Sequence, residues 1–582
     1  MSRTLRHVSK TPARGAQGMV VSHNAEAASI GVGVLRDGGT AVDAAIAMSV
    51  ATAVREVGMN SIGGVGVLLV RSAQTGRTRE IRFYGQTPSE LTEDAFVPYL
   101  LDTGDERTAF GWRRVRDDLH ERGALSVGVP TYVAGLEALH QGYATMPWSE
   151  LLRPGAQLAD RGFEPTDEDA FYFASHLSIL ERFPEFRRIY LADGLPMPEG
   201  FYHGLGRSIR TPDLGETISL LAEEGPGAFY RGPLAETIVG HVREQGGVLS
   251  LEDLRRYAPA HSDGMRVSYK GYEVVTSSGC TGGVTLLQML KLAETLDLGA
   301  LPRLSGGCLH LLAEVMRQAW TDRFVHVGDP DADAVPLDGL VHPAYAAGLA
   351  STLPRGQVPS ETRPGDPWGY STRVPSSTSP PAGDPGGRDT THLAVADAAG
   401  NVVTFTQTLG LAFGSCVIPP TTGTILYDIT MWMNPEPGTP NSVGPSKQQL
   451  GHATPVMLLK DGEPVAALGA PGGRRVVTAM FQTVINMVDF GMDVQEAIGT
   501  PRIHLEGADP AQPIGPALHD LVVDDRVPEE SIQELARRGH AVRPVFESSA
   551  QSYLAKPLGI EFREDELVGG VDVYRQSVGI GV

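Results

Sequence analysis

Two threonines and a pair of glycines supply the residue types from which an acyl-transfer site can be built. A threonine hydroxyl such as that of Thr390 is a weak nucleophile until a base removes its proton. If the chain is cut before Thr390, the new α-amino group becomes that base, because its usual pKa of about 8 leaves a neutral fraction near neutral pH. Thr408 could orient the nucleophile, and backbone N–H groups of Gly472–Gly473 could stabilise a tetrahedral oxyanion. Together these residues would support cleavage of an amide or acyl bond through an ester on Thr390.

The first threonine opens a pattern that is typical of a β-hairpin. Two segments of alternating apolar residues flank a turn at Gly400–Asn401. Pairing of Asp397 with Val402 would set the register and make Thr390 a close diagonal neighbour of Thr408. We therefore expect the two hydroxyl groups to meet.

Two further segments position this chemistry. Residues 465–473 and 474–490 read as a strand, a glycine turn and a long helix, which would leave N–H groups of the turn exposed to a ligand. Residues 354–388 are rich in Pro, Gly, Ser and Thr and lack hydrophobic periodicity, which predicts a flexible surface segment. That segment could be a linker between two domains, or it could present the bond before Thr390 for self-cleavage.

The N-terminal part of the chain predicts helices followed by a strand. Residues 25–35 and 41–54 have helical patterns, and Thr40 with Asp43 resembles a capping box for the second helix. Residues 62–70 predict a glycine-loosened strand. Residues 309–324 form a strongly periodic helical pattern.

Charge and composition exclude several classes of function. The 582 residues include 69 acidic and 48 basic side chains, for a net charge of −21. Such a field repels phosphate backbones and anionic membranes, so we expect neither nucleic-acid nor membrane binding. The basic residues near the N-terminus are not followed by an apolar segment, and we therefore expect a cytoplasmic protein without a secretory signal. Cys280, Cys308 and Cys416 form no CxxC pair and are expected to be buried, reduced thiols.

The residues from Thr390 onward resemble the start of the small subunit of the γ-glutamyltransferase family, within the N-terminal-nucleophile hydrolases. The matching pattern is Thr-Thr-His at 390–392, Asp397 and Gly400–Asn401. Further segments that resemble the family are residues 39–45, 62–64, 129–130, 246–247, 252–254, 322–323, 328–330, 413–414, 444–447 and 470–473. The resemblance covers about residues 18 to 505. Residues 506–582 carry few signatures and receive no functional assignment.

The resemblance implies a fold and a mechanism. The fold is an α/β (α+β) four-layer αββα sandwich, made as one precursor and split into residues 1–389 and 390–582, which stay intertwined as a heterodimer. Thr390 would be the nucleophile, Thr408 its hydroxyl partner, and Gly472 and Gly473 the oxyanion loop. The family acts on small molecules, and no metal or organic cofactor is expected.

The chain departs from the family where glutamyl-specific members hold their substrate. The position of the arginine that binds the α-carboxylate is Tyr84, and two serines that meet this carboxylate are replaced by Gly451 and His452. The positions of the asparagine and aspartate that bind the α-amino group are Gly410 and, nearby in the alignment, Trp432. A tyrosine cannot replace a bidentate arginine–carboxylate contact. We therefore expect retained catalytic machinery without the glutamyl clamp.

Four residues are candidates for the altered substrate pocket: Tyr84, Trp432, His452 and Arg474. His452 could donate to a carboxylate, or it could be a structural core histidine. Arg474 could anchor the substrate, or it could lie on the surface of its helix. Trp432 is better suited to a pocket wall than to catalysis.

Several functions remain open. The favoured one is an amide or acyl hydrolase acting in intracellular or biosynthetic metabolism, similar to the oxamate amidohydrolase-like or cephalosporin-acylase branches of the family. A second is cleavage of a carbon–carbon bond with release of an oxalyl unit, as in alkylproline antibiotic pathways. True γ-glutamyl transfer is a third. The fourth is a non-catalytic binding protein that is never processed, although such a protein would have no reason to retain Thr390, Thr408, Gly472 and Gly473.

Overall fold

In the computed structural model, two seven-stranded sheets pack face to face between layers of helices. The structure describes residues 8–102, 112–192, 194–198, 208–332, 334–374, 389–439, 441–505, 520–548 and 553–582. The strands are β1 (Ala13–Gly15), β2 (Gly18–Ser22), β3 (Val65–Ser72), β4 (Arg77–Phe83), β5 (Ala260–Ser262), β6 (Met265–Tyr269), β7 (Tyr272–Thr276), β8 (Asp389–Asp397), β9 (Val402–Gly410), β10 (Val456–Lys460), β11 (Glu463–Gly469), β12 (Ile503–Leu505), β13 (Asp520–Asp524), β14 (Ala541–Val545), β15 (Leu558–Phe562), β16 (Leu567–Val571) and β17 (Val578–Gly581).

The α-helices lie mainly on the outer faces of these sheets. They are α1 (Ala25–Arg36), α2 (Ala41–Arg55), α3 (Tyr132–Tyr143), α4 (Trp148–Arg161), α5 (Asp167–Leu180), α6 (Pro184–Tyr190), α7 (Pro212–Glu224), α8 (Gly227–Tyr230), α9 (Pro233–Glu244), α10 (Leu251–Arg256), α11 (Gly283–Ala293), α12 (Gly306–His326), α13 (Leu337–Leu340), α14 (Pro343–Thr352), α15 (Arg475–Val488), α16 (Val494–Gly499) and α17 (Glu529–Arg537). None of the helices in the described part of the chain is both long and apolar enough to cross a lipid bilayer.

Strand order shows how the two sides of Asp389 combine. The first sheet runs β17-β2-β8-β9-β3-β4-β5, and the second runs β1-β16-β15-β11-β10-β7-β6. Each sheet therefore contains strands from before and after the predicted cleavage point. A separate three-stranded sheet, β12-β13-β14, lies outside this pair.

The hydrophobic core has three layers. One cluster packs α1 to α4 against the first sheet, and another packs α11, α12, α15 and α16 against the second. Between the sheets lies a third cluster of mostly small or flexible side chains, among them Met19, Ala394, Ala396 and Met457. The small alanines let the sheets approach closely, and the flexible methionines fill the remaining gaps. These layers confirm the predicted αββα sandwich.

Helix α2 positions the nucleophile hairpin. Its N-terminus has the predicted capping box: Asp43 Oδ2 accepts the Thr40 N–H at 2.8 Å, and Thr40 Oγ1 accepts the Asp43 N–H at 3.3 Å. The next N–H, of Ala41, donates to Oδ2 of Asp397 at 2.8 Å. The β8–β9 turn is thereby tied to the start of a helix in which every residue is buried.

The three cysteines and the segment 354–388 were also the subject of predictions. All three cysteines lie in the described part of the chain, where they are buried and free, as predicted. The predicted flexible segment 354–388 is described only as far as Val374. Its first part is anchored, because Val358 N–H donates to the Arg538 carbonyl and Gly365 N–H donates to Asp322; residues 375–388 lie outside the described residues.

Candidate active site

Thr390 and Thr408 meet at the start of the hairpin. Their hydroxyl oxygens are 3.2 Å apart, and Oγ1 of Thr408 also accepts the N–H of Gly410 at 3.0 Å. Thr390 retains 8% of its surface exposed, whereas Thr408 retains 1%. Because the Gly410 N–H holds the hydroxyl of Thr408 in place, this hydroxyl can orient that of Thr390.

The register of this hairpin differs from the prediction by one residue. Val402 pairs with Ala396, not with Asp397, and the pairing shifts again between Asp389 and Thr391. The reason is that Asp397 belongs to the turn: its Oδ1 accepts the N–H groups of two turn residues, one of them Asn401. The contact between Thr390 and Thr408 was predicted correctly, but from the wrong pairing.

His392, in the same Thr-Thr-His motif, is a structural residue. Its Nδ1 lies 2.8 Å from Oγ1 of Thr406, and its Nε2 lies 3.1 Å from Oγ1 of Thr404. Complete burial lowers the pKa of the imidazole to about 3. The ring packs on Gly469, where an added β-carbon would lie 2.0 Å from Cε1. This contact holds the end of β11 against the start of β8.

The glycine turn follows directly after that contact. Gly472 has φ +138° and Gly473 has φ +60°, backbone conformations that favour glycine. A β-carbon on Gly472 would lie 2.8 Å from Cα of Ala555, and the N–H of Lys556 donates to the carbonyl of Pro471 at 3.2 Å. Residues beyond 505, which the sequence left without a role, thus cover the predicted oxyanion turn.

Tyr84 is buried against the segment that would carry the serines of a glutamyl clamp. Its hydroxyl accepts the backbone N–H groups of His452 and Ala453, and burial raises its pKa to about 12. A β-carbon on Gly451 would lie 2.0 Å from Cε1 of the Tyr84 ring. The tyrosine therefore fills this part of the pocket, and glycine at 451 makes room for it.

Gly410 shows a similar relationship with Asp428, a residue that the sequence analysis missed. Gly410 has φ +94°, and a β-carbon there would lie 1.9 Å from Oδ1 of Asp428. Oδ1 accepts the Leu411 N–H at 3.0 Å, while Oδ2 is buried and no described residue hydrogen-bonds to it. Burial raises the pKa of this carboxyl well above its usual range. A buried carboxyl group therefore lies next to Gly410, two residues after Thr408.

The other pocket candidates form a line of ring contacts. His452 lies between the rings of Trp432, at 5.4 Å, and Trp320, at 5.9 Å. Trp320 stacks on Phe324 at 5.8 Å, and the guanidinium of Arg474 lies over Phe324 at 5.3 Å. Ring contacts therefore link Trp432, His452 and Arg474, and the backbone of His452 adjoins the hydroxyl of Tyr84. The structure also corrects one alternative: Arg474 is 6% exposed and is not a surface residue of its helix.

A cavity of about 120 Å³ lies on the helix side of β8, and its residues were also not predicted. Glu56, at the end of α2, lines it and faces Thr391. Burial raises the pKa of the Glu56 carboxyl to about 7. Successive residues of a strand point to opposite faces, so this cavity is behind the nucleophile and not in front of it.

Metal-ligating side chains cluster elsewhere. Within the described ranges, His310, Glu314 and His540 form a group whose ligand atoms lie within 4.8 Å of one another. His310 Nε2 lies 3.1 Å from the carbonyl of Pro354, which can only accept, so Nδ1 of the neutral ring accepts from His540 Nε2 at 2.8 Å. Glu314 pairs with Arg317. These contacts join α12 to the residue before β14, and none involves Thr390.

The chain is similar to known proteins over most of its length. A sequence model described as Gamma-glutamyltranspeptidase matches residues 27–582. The Acylase ACY 1 proenzyme of Pseudomonas sp. (strain V22) is 34% identical over 537 residues, which is 92% of this chain and 88% of that protein. The Glutathione hydrolase proenzyme of Bacillus subtilis (strain 168) is 31% identical over 574 residues, 98% of this chain and 92% of that protein.

A solved structure agrees on the fold. The cephalosporin acylase from Bacillus halodurans superposes with a TM-score of 0.84 at 23% identity, covering 100% of this chain and 99% of that one. The sequence match extends past residue 505, the end of the motifs that resemble the family, to residue 582. The chain therefore belongs to the γ-glutamyltranspeptidase family and is an enzyme of the N-terminal-nucleophile hydrolase type.

Proposed function

We propose that this enzyme cuts its own chain between Asp389 and Thr390 and then hydrolyses a small amide or acyl compound that is not a γ-glutamyl compound. The observation that carries the proposal is the 3.2 Å contact between the hydroxyl oxygens of Thr390 and Thr408. Both curated relatives above have the word proenzyme in their names, which supports processing of this chain as well.

Processing would use the same hydroxyl as catalysis. Oγ1 of Thr390 attacks the carbonyl carbon of Asp389, and its proton passes to the nitrogen of Thr390 as the C–N bond breaks. The resulting ester is hydrolysed by water, which leaves a carboxylate on Asp389 and a free α-amino group on Thr390. The product is a fragment of residues 1–389 associated with a fragment of residues 390–582.

In the processed enzyme the α-amino group of Thr390 acts as the base. It takes the proton of Oγ1 as this oxygen attacks the substrate carbonyl, and it then delivers that proton to the leaving amine. N–H groups of the Gly472–Gly473 turn stabilise the intermediate oxyanion, a contribution on the order of 3 kcal/mol per donor. Water hydrolyses the acyl ester, returns a proton to Oγ1 and releases the carboxylic acid.

Two paired substitutions support a non-glutamyl substrate. Tyr84 with Gly451 fills the region where an arginine and a serine would bind the α-carboxylate, and Asp428 crowds the glycine that stands where an asparagine would bind the α-amino group. A relative at 34% identity is named an acylase. An intracellular role is also part of the proposal, and the three free, buried thiols support it because a reducing compartment preserves them.

A substrate comparison tests the specificity. The processed enzyme would be given γ-glutamyl anilide and a set of non-glutamyl acyl amides, and the small fragment would be weighed by rapid-quench mass spectrometry. We expect a non-glutamyl acyl group on residues 390–582 and much slower turnover of γ-glutamyl anilide. Faster turnover of the γ-glutamyl compound would refute the specificity, and processed enzyme that never acquires an acyl group would refute the mechanism.

A further inference from the structure

Three metal-ligating side chains converge outside the candidate active site. His310 and Glu314 are four residues apart on α12 and therefore share one face of this helix. His540 directly precedes β14. All three residues are buried, and one ligand atom from each lies within 4.8 Å of the other two. Two imidazoles and one carboxylate are a ligand set that zinc takes in proteins.

The hydrogen bonds of His310 turn its free lone pair toward the other two residues. Its Nε2 donates to the carbonyl of Pro354 at 3.1 Å, so Nδ1 of the neutral ring carries the lone pair. Histidines that bind a metal usually make such a bond through their other nitrogen, because it fixes the tautomer and the orientation of the ring. Nδ1 lies 2.8 Å from Nε2 of His540. The imidazole of His310 is therefore preorganised to bind a metal ion through Nδ1.

His540 and Glu314 can bind a metal with small rearrangements. Nδ1 of His540 is enclosed and has no hydrogen-bond partner among the described residues, so the ring proton can move there from Nε2. Zinc bonded to both rings at about 2.0–2.1 Å would set the two nitrogens about 3.3 Å apart, which requires a separation of about 0.5 Å. Arg317 Nε donates to Oε1 of Glu314 at 3.3 Å, and Oε2 has no hydrogen bond within the described ranges. One oxygen therefore remains for a metal ion.

We propose that His310, Glu314 and His540 bind one zinc ion, with water as the fourth ligand. The folded chain alone brings these ligands together, so binding of the ion stabilises the folded protein. His310 and Glu314 precede the proposed cleavage point, whereas His540 follows it. The ion thus links the two halves of the chain, and its role in holding two separate fragments together rests on the proposed function.

Metal titration tests the site directly. Protein purified without a polyhistidine tag would be stripped with a chelator, and zinc would be titrated against a chromophoric competitor. We expect one zinc ion per chain, with nitrogen and oxygen neighbours at about 2.0–2.2 Å and no sulfur in X-ray absorption spectra. His310→Gln and His540→Gln should each weaken zinc binding at least about 100-fold, because loss of a ligand exceeds the effect of losing an outer partner, about 10–100-fold. His241→Gln, at a half-buried histidine of α9, is the matched control.

Thermal unfolding gives a second readout. Zinc should raise the Tm of wild type and of His241→Gln but not that of His540→Gln. Wild type that binds no zinc, or ligand variants that bind it as tightly as wild type, would overturn the site. If a ligand variant fails to fold, the zinc stoichiometry and the X-ray absorption spectrum of wild type still decide the question.

The link between the fragments has its own test. In the cut enzyme, a chelator should lower the urea concentration at which residues 1–389 and 390–582 separate on a sizing column. Separation at the same urea concentration with and without chelator would overturn this role. One zinc ion bound by a chain that is never cut would refute self-cleavage and leave the metal site standing. A cut, active enzyme that binds no zinc would do the reverse.

Discussion

The ring of Tyr84 lies where a side chain at position 451 would begin. A β-carbon on Gly451 would be 2.0 Å from Cε1 of the tyrosine, far inside contact distance. In glutamyl-specific members of the family these two positions hold an arginine and a serine that share the substrate carboxylate. The tyrosine and the glycine therefore depend on each other, and both changes close the same subsite.

This dependence can be measured in a double-mutant cycle. We predict that Gly451→Ser lowers the free energy of unfolding by about 1–3 kcal/mol, because the new side chain overlaps a buried ring. In a Tyr84→Ala background the same change should cost much less. Urea unfolding of the four proteins gives the coupling energy. Equal costs of Gly451→Ser in both backgrounds would mean that the ring does not occupy this place.

A second cycle concerns Gly410 and Asp428. We predict that Gly410→Ala destabilises the protein by about 1–3 kcal/mol, because its β-carbon meets Oδ1 of Asp428 and its φ is +94°. Asp428→Ala should remove the side-chain part of this cost. It should leave the part due to the backbone angle and to the Asp428 carbonyl oxygen, which lies 2.8 Å from the added β-carbon. The measurement is thermal or urea unfolding with Gly400→Ala as control, since Gly400 has φ +90° with only Ala73 near its added β-carbon. A cost at 410 no larger than at 400 would contradict the contact.

The hydroxyl of Thr408 should affect both processing and turnover. We predict that Thr408→Ala slows self-cleavage and lowers kcat by about 10–100-fold, because Thr390 loses the hydrogen bond that orients its hydroxyl. Thr408→Ser keeps the hydroxyl and should stay within a few-fold of wild type. Gel electrophoresis of the uncut chain against time and steady-state kinetics provide the two readouts. A serine variant as slow as the alanine variant would assign the effect to packing of the methyl group.

His392 should make stability depend on pH. Burial holds its pKa at about 3 in the folded state, whereas the unfolded chain takes up the proton near the usual value of about 6.5. Between these values the unfolded state binds more protons, so acid favours unfolding by up to about 1.4 kcal/mol per pH unit. We predict that His392→Gln is less stable overall but loses less stability between about pH 7 and pH 5. Urea unfolding at a series of pH values tests this, and parallel curves for the two proteins would refute it.

The family resemblance predicted the layers of the fold, and local patterns predicted the elements that bring Thr390 to Thr408. Alternation over 390–397, the cap at Thr40 and the glycine turn after β11 are local patterns, and each appears in the structure. The hairpin register was missed by one residue because the Asp397 side chain closes the turn. The hydrogen bond from the Asn401 N–H to Asp397 depends on the geometry of residues 397–401 and not on their hydrophobic pattern.

The substrate pocket was predictable only in part. Comparison with the family motif identified Tyr84, Gly410 and Gly451 as altered positions. Asp428 was missed because its carboxyl fills space left by a glycine eighteen residues earlier, and sequence spacing does not reveal such a contact. Whether Arg474 is buried could not be predicted for the same reason, because the ring of Phe324 that covers it belongs to a helix far away in the chain.

The most direct test of the account is the denatured mass of freshly purified wild type and Thr390→Ala. We predict two fragments in wild type, residues 1–389 and 390–582, and one uncut chain in the variant. Wild type that remains a single chain would contradict it, because Thr390 would then never gain the α-amino group that serves as its base. Cleavage of the Thr390→Ala variant at the same bond would contradict it equally, since another group would be the nucleophile.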